Sequence, residues 1–134
     1  MTLADRIRDE GARLAAACTA CGACVRACPM TAYAPAAMAD TSLTAFGMRD
    51  LLTGGVGNAP GLAWVAVCAR SGVCSDACPE HLDAAFLLRL AQMRAKGALD
   101  EAPRIPVKED TGFSARVKAF ARLTLTEGEQ AEWL

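Results

Sequence analysis

The sequence predicts an all-α fold whose helices are joined by two cysteine-rich loops. Three observations predict it: apolar residues recur at helical spacing in several segments, an Ala-rich texture favours helix and close helix packing, and the cysteines fall between those segments rather than inside them. At 134 residues the chain falls within the usual size of one domain, and it is short for a self-contained enzyme with an organic cofactor.

The first helix is expected over Leu3 to Ala17, with Ile7, Leu14 and the alanines from Ala12 to Ala17 on its apolar side. Arg6, Asp9, Glu10 and Arg13 make its wet side. From Cys18 to Pro29 the chain reads as a loop wrapped around metal, with Gly22 at a tight reversal, a helical turn near Cys28 and a stop at Pro29. Asp40, Thr41 or Ser42 caps a helix running to Leu52, which Thr53, Gly54 and Gly55 end. Residues Gly57 to Gly61 read as a linker into a shorter helix carrying Leu62, Trp64, Val65 and Val67 towards Cys68. Gly54, Gly55 and Gly57 read as a hinge between the halves. After a second loop, Cys68 to Pro79, helical spacing resumes with Leu82, Phe86, Leu87, Leu90 and Met93 until Gly97, on a helix expected to pack against the first. Pro103 and Pro106 make Leu99 to Glu109 an extended connector. Phe113, Val117, Phe120 and Ala121 then stand at helical intervals opposite Arg116, Lys118 and Arg122. The expected division is 1–98 as the metal-binding unit and 99–134 as connector and helical tail, either folded back or docked on a partner.

Fourteen basic residues against fifteen acidic ones leave a formal charge of −1, which offers no strong field for nucleic acid. The longest strongly apolar stretches, Leu62 to Ala69 and Ala84 to Leu88, fall well short of a membrane span. Arg6, Arg8, Asp9 and Glu10 interrupt any secretion signal, so cytoplasmic residence is the default expectation. Seven cysteines are an odd number, and a reducing compartment disfavours a disulfide framework. Thiolates held by metal explain them better.

Cys18, Cys21, Cys24 and Cys28 followed by Pro29 have the form Cys-x2-Cys-x2-Cys-x3-Cys-Pro, a spacing in which three thiolates wrap one iron–sulfur cubane and the fourth reaches another cluster. The second run is Cys68, five residues, Cys74, three residues, Cys78 and Pro79, with Ser71 where the first run has Cys21. If the runs cross over, Cys18, Cys21, Cys24 and Cys78 hold one [4Fe-4S] centre, leaving Cys28, Cys68 and Cys74 for the other. Three thiolates suit a [3Fe-4S] cluster. A second [4Fe-4S] would need a further ligand such as Ser71, Asp76, water or a partner's residue. Zinc modules usually separate their Cys pairs, and a dithiol switch would use two residues and leave five idle. His81 is placed only in the surroundings of a cluster, where it caps a helix, tunes a potential or faces solvent. Thr19, Ala20, Gly22, Ala23, Val25, Ser75, Asp76 and Ala77 offer backbone N–H groups to the sulfides. Trp64, Trp133, Phe113 and Phe120 read as packing, and Arg26, Arg70 and Arg89 as solvated surface. Neither a phosphate-binding glycine loop nor a hydrolytic constellation is present.

Together the two runs resemble the C-terminal dicluster ferredoxin domain of succinate dehydrogenase and fumarate reductase iron–sulfur subunits, and the related small subunit of heterodisulfide reductase. The likeness spans about Leu3 to Gly97 and implies an alpha-helical ferredoxin-like fold. It implies [4Fe-4S] on Cys18, Cys21, Cys24 and Cys78, and [3Fe-4S] on Cys28, Cys68 and Cys74. The heterodisulfide reductase subunit usually carries a fourth Cys in its second run and two [4Fe-4S] clusters; here Ser71 stands in that place. The implied function is electron relay in a hetero-oligomer, between a flavin- or haem-bearing subunit and a catalytic one, peripheral to the inner membrane where partners lie there. Two rivals remain: a catalytic protein with an open iron near Ser71, and a regulatory metal-binding protein.

Overall fold

The computed structural model describes residues 1–99, 101–105 and 112–133. Among the described residues there are eight α-helices and two short 3-10 turns, and no strand. Helix α1, Leu3–Ala17, starts with a reciprocal cap: the Asp5 N–H donates to Thr2 Oγ1, and the Thr2 N–H donates to the Asp5 carboxylate. It buries Gly11, Leu14 and Ala15. Gly11 lets it approach closely, because a Cβ there would stand 2.7 Å from the Leu52 carbonyl oxygen.

Helix α2, Ala23–Ala27, is a single turn and a half that ends at Cys28. Two 3-10 turns follow, Pro29–Tyr33 and Pro35–Met38, each opened by its proline. Helix α3, Thr41–Leu52, is capped by Asp40, whose carboxylate accepts from the Leu43 N–H. Thr53 and Gly54, the latter at φ 86°, end it where the sequence indicates.

Helix α4, Ala59–Ala66, begins earlier than the linker reading of Gly57 to Gly61 expects. Asn58 supplies a cap to the Gly61 N–H, and Pro60 sits in the first turn, where its missing N–H has no partner to lose. Helix α5, Val73–Ala77, repeats α2, and α6, Ala84–Ala95, is capped by Asp83.

Helices α3, α4 and α6 enclose the core, and α6 also reaches α1. Met48, Leu51, Leu52, Trp64, Val65 and Leu87 are at most 2% exposed. Each large apolar side chain so buried contributes on the order of 1.5–3 kcal/mol of transfer free energy. Phe86, assigned to the same apolar stripe by periodicity, instead lies 39% exposed, one step round the helix from buried Leu87.

Past α6 the chain folds back, with the N–H groups of Arg104 and Ile105 donating to the Ala95 carbonyl at 2.7 and 3.0 Å. Glu101 lies between Arg94 and Arg104, while Arg104 also donates to the Arg94 and Gly54 carbonyls. This knot ties the ends of α3 and α6 together. Pro106 to Glu109 of the expected connector lie outside the described residues.

Helix α7, Gly112–Thr124, packs on α4 and the first 3-10 turn, and α8, Glu127–Trp133, packs on α7. Arg116 donates to the Ala66 carbonyl, and Arg122 donates to the Tyr33 hydroxyl while lying over that ring. Arg116 and Arg122 of the charged side therefore reach the body of the protein together with Ala121, while Lys118, Phe113, Val117, Phe120 and Leu123 are exposed. This reverses the simple amphipathic expectation. Among the described residues no helix is long and apolar enough to cross a membrane.

Candidate metal centre

The two cysteine runs lie fifty residues apart throughout, Cys18 to Cys68 and Cys28 to Cys78, and the backbone repeats with them. Ala20 and Arg70 have φ of 54° and 62°; Gly22 and Gly72 have 84° and 78°. Helices α2 and α5 follow at matching positions, and Cys28 and Cys78 end them with nearly the same dihedrals. Each loop thus sets two left-handed residues around its central position, an arrangement that turns successive N–H groups towards one side. The Ala20 N–H reaches Cys18 Sγ at 3.5 Å, and the Met30 N–H reaches Cys28 Sγ at 3.4 Å.

Because α2 and α5 pack directly on each other, the last cysteine of each run is delivered to the other run. Cys18, Cys21, Cys24 and Cys78 line one cavity, walled by Met48 and Leu87. Cys28, Cys68 and Cys74 line a second, with Ser71 at its mouth and Trp64 and Leu88 behind. Cys21 and Ser71, equivalent in the repeat, are both exposed, whereas Cys74 is buried. Ser71 accepts from the Val73 N–H at 3.5 Å.

The thiols are crowded in surroundings that disfavour charge. Burial pushes the Cys24 thiol up to about 12, reinforced by Cys18, Cys74 and Cys21 and opposed by the Val25 N–H. Burial likewise pushes Cys74 up to about 11, with Cys68 and Cys28 adding to it. Cys68 is raised by burial and by Cys28, against the Arg70 N–H and the charges of Arg70 and Arg116. Such groups become thiolates only beside a compensating cation, and binding metal there releases their protons.

Residues 17–83 match the family described as the 4Fe-4S dicluster domain. The chain belongs to this family. It is an iron–sulfur protein of electron-transfer type. No curated protein and no solved structure matches it.

The donors of this dicluster domain fit iron–sulfide centres. Among the described residues no three Cys, His, Asp or Glu side chains converge closely enough for a single ion. The thiols instead line two cavities, four cysteines at one and three at the other, and an iron–sulfide centre takes one thiolate per iron. Bound clusters would supply one-electron redox chemistry, and the chain's own part is to hold them, shield them and fix their separation.

Other candidates land differently. His81 is exposed, at φ 55°, and its N–H donates to the Cys78 carbonyl, so its place is in the turn after Cys78 with its ring towards solvent. Sequence reasoning treated Arg26 as solvated surface, weighed Ser42 only as a helix cap and passed over Arg49. Arg26 donates to the Cys21 carbonyl and to Thr41 Oγ1, Arg49 to the Cys18 carbonyl, and Ser42 to the Ala20 carbonyl. Nothing in the sequence separates these residues from ordinary surface groups, since their role depends on where α3 lies.

Proposed function

We propose that this chain relays electrons as the small iron–sulfur subunit of a heterodisulfide reductase-like or respiratory oxidoreductase. In this reading Cys18, Cys21, Cys24 and Cys78 hold a [4Fe-4S] centre, and Cys28, Cys68 and Cys74 hold a [3Fe-4S] centre. The supporting observation is the exchange of Cys28 and Cys78 between two cavities that share the α2–α5 wall. Two centres held by one rigid element, each with one exposed corner, suit entry of an electron at one and exit at the other. The outward Phe113, Phe120 and Leu123 offer an apolar face for a catalytic or flavin- or haem-bearing subunit. Residence is cytoplasmic, at the inner membrane where such partners sit.

A second reading, a catalytic open-iron centre, has one observation in its favour. A cavity of about 570 Å³ adjoins the second thiol set, lined by Cys68 and Ser71 with Arg70, Arg116 and Arg122. A substrate there would alter the paramagnetic spectrum of the second centre, whereas a relay would not respond.

Anaerobic purification with iron and sulfide analysis and low-temperature paramagnetic resonance tests the main reading. About seven irons per chain and a signal in the oxidised state are expected. About eight irons, with signals only after dithionite, would replace the [3Fe-4S] assignment by a second [4Fe-4S]. Zinc-filled, iron-free protein would sink the proposal.

A further inference from the structure

We infer that Arg49 is a positioning residue for the first centre and raises its reduction potential. The inference rests on the proposed reading of Cys18, Cys21, Cys24 and Cys78 as ligands of one centre. In the first loop three carbonyls receive side-chain donors: Cys18 from Arg49 at 2.9 Å, Ala20 from Ser42 at 2.7 Å, and Cys21 from Arg26 at 3.3 Å. Holding these carbonyls fixes the peptide planes on either side of the Ala20 N–H, which itself reaches Cys18 Sγ at 3.5 Å. Arg49 and Ser42 both belong to α3, so two of the three contacts of the brace come from that helix.

The Arg49 guanidinium is itself held. It lies over the Phe46 ring, 5.1 Å from the centroid, and is partly sheltered from solvent. Among the described residues no carboxylate forms an ion pair with it, so its charge acts on the loop unpaired. Reduction adds one negative charge to an iron–sulfur centre, and a fixed cation one residue's carbonyl away stabilises the reduced form more than the oxidised one. The second loop supplies an internal control. Its backbone repeats the first, but Gly72 faces open space where Gly22 is backed by Thr41 of α3.

Redox titration of the anaerobically prepared full chain, with each centre followed by its own paramagnetic signal, tests this. At the wild-type midpoint, Arg49→Met should lower the reduced-to-oxidised ratio of the first centre about tenfold, equivalent to about 59 mV for a one-electron couple. The second centre should stay where it is, and Arg49→Lys, which keeps the charge, should recover most of the shift. An Arg49→Met protein with both centres loaded and the first potential unmoved would overturn the inference, as would equal shifts in both centres. If Arg49→Met does not retain the first centre, Phe46→Ala carries the test. It frees the guanidinium from its ring and should shift the first potential the same way, so an unmoved potential there also overturns the inference. Iron-free wild-type protein would instead defeat the proposed function itself.

Discussion

Gly22 and Gly72 are equivalent in the repeat, with left-handed φ of 84° and 78°, but they differ in what lies behind them. A Cβ at position 22 would stand 2.7 Å from both the carbonyl carbon and Oγ1 of Thr41 and 2.8 Å from its carbonyl oxygen; at position 72 it would meet nothing within 4 Å. Alanine at either site carries the left-handed penalty of about 1–2 kcal/mol. Gly22→Ala must also displace the first residue of α3, a backbone shift of the kind that costs about 1–3 kcal/mol in overpacked sites. The expected losses are therefore about 1–2 kcal/mol for Gly72→Ala and about 2–5 kcal/mol for Gly22→Ala. A gap of about 1.4 kcal/mol between them is a tenfold difference in the unfolding constant. Anaerobic denaturant titration followed by far-ultraviolet circular dichroism measures the gap, with the visible absorbance of the clusters recorded alongside. Both variants lose the same metal on unfolding, so their difference reports the backbone environment. Equal losses, or a larger loss for Gly72→Ala, would refute the packing of the first loop against α3.

On the proposed ligand assignment, Ser71→Cys should raise iron content from about seven to about eight per chain and remove the oxidised-state signal, because it places in the second loop the thiol that Cys21 offers in the first; unchanged iron and an unchanged signal would count against the repeat as a guide to ligation. Glu101 is pushed up by burial, but the Arg104 hydrogen bond and the charge of Arg94 outweigh this and hold its carboxyl below the usual value of 4.5. Its ionised form therefore stabilises the fold above that value, and the contribution is lost as pH falls through the lower folded-state value. Glu101→Gln should lower stability near neutrality, and the gap from wild type in denaturation midpoint should close as the solution is acidified; a gap independent of pH would rule the ion pair out as its source. Phe120, 69% exposed, should tolerate Ser with less than about 0.5 kcal/mol change in the isolated chain, read by thermal unfolding. A larger loss would mean that this face of α7 is covered.

Much of the fold was legible because local signals and packing agree. The stretch from Leu3 to Ala17 carries helical periodicity, and Asp40 with Gly54 bounds α3 from both ends. The dicluster character was legible for a different reason, since two runs of closely spaced cysteines form a pattern that wraps iron–sulfide centres. Where the sequence misled, two physical effects competed. Around Pro60 and Gly61, turn-forming composition obscured a helix that Asn58 starts and Trp64 and Val65 anchor in the core. In α7 the apolar period was real, but Arg116 and Arg122 found carbonyl and hydroxyl partners on the body, which turned the aromatic side outward. The 3-10 turns between Pro29 and Met38 have no periodic pattern to detect. The brace on the first loop arises from contacts between residues as far apart as Cys18 and Arg49, which spacing alone does not reveal.

Cys24 faces one cavity and Cys28 the other, with a single stretch of α2 between them. Four residues of helix advance about 6 Å, so the offset between the backbone positions that present these two thiols is set by the pitch of a coil. One residue gained or lost in that stretch would swing Cys28 by about 100° and strand it away from its own chamber. The same change in the bend between Leu52 and Asn58 would alter neither spacing, so length variation in this lineage should accumulate there and be purged from the four-residue gauge.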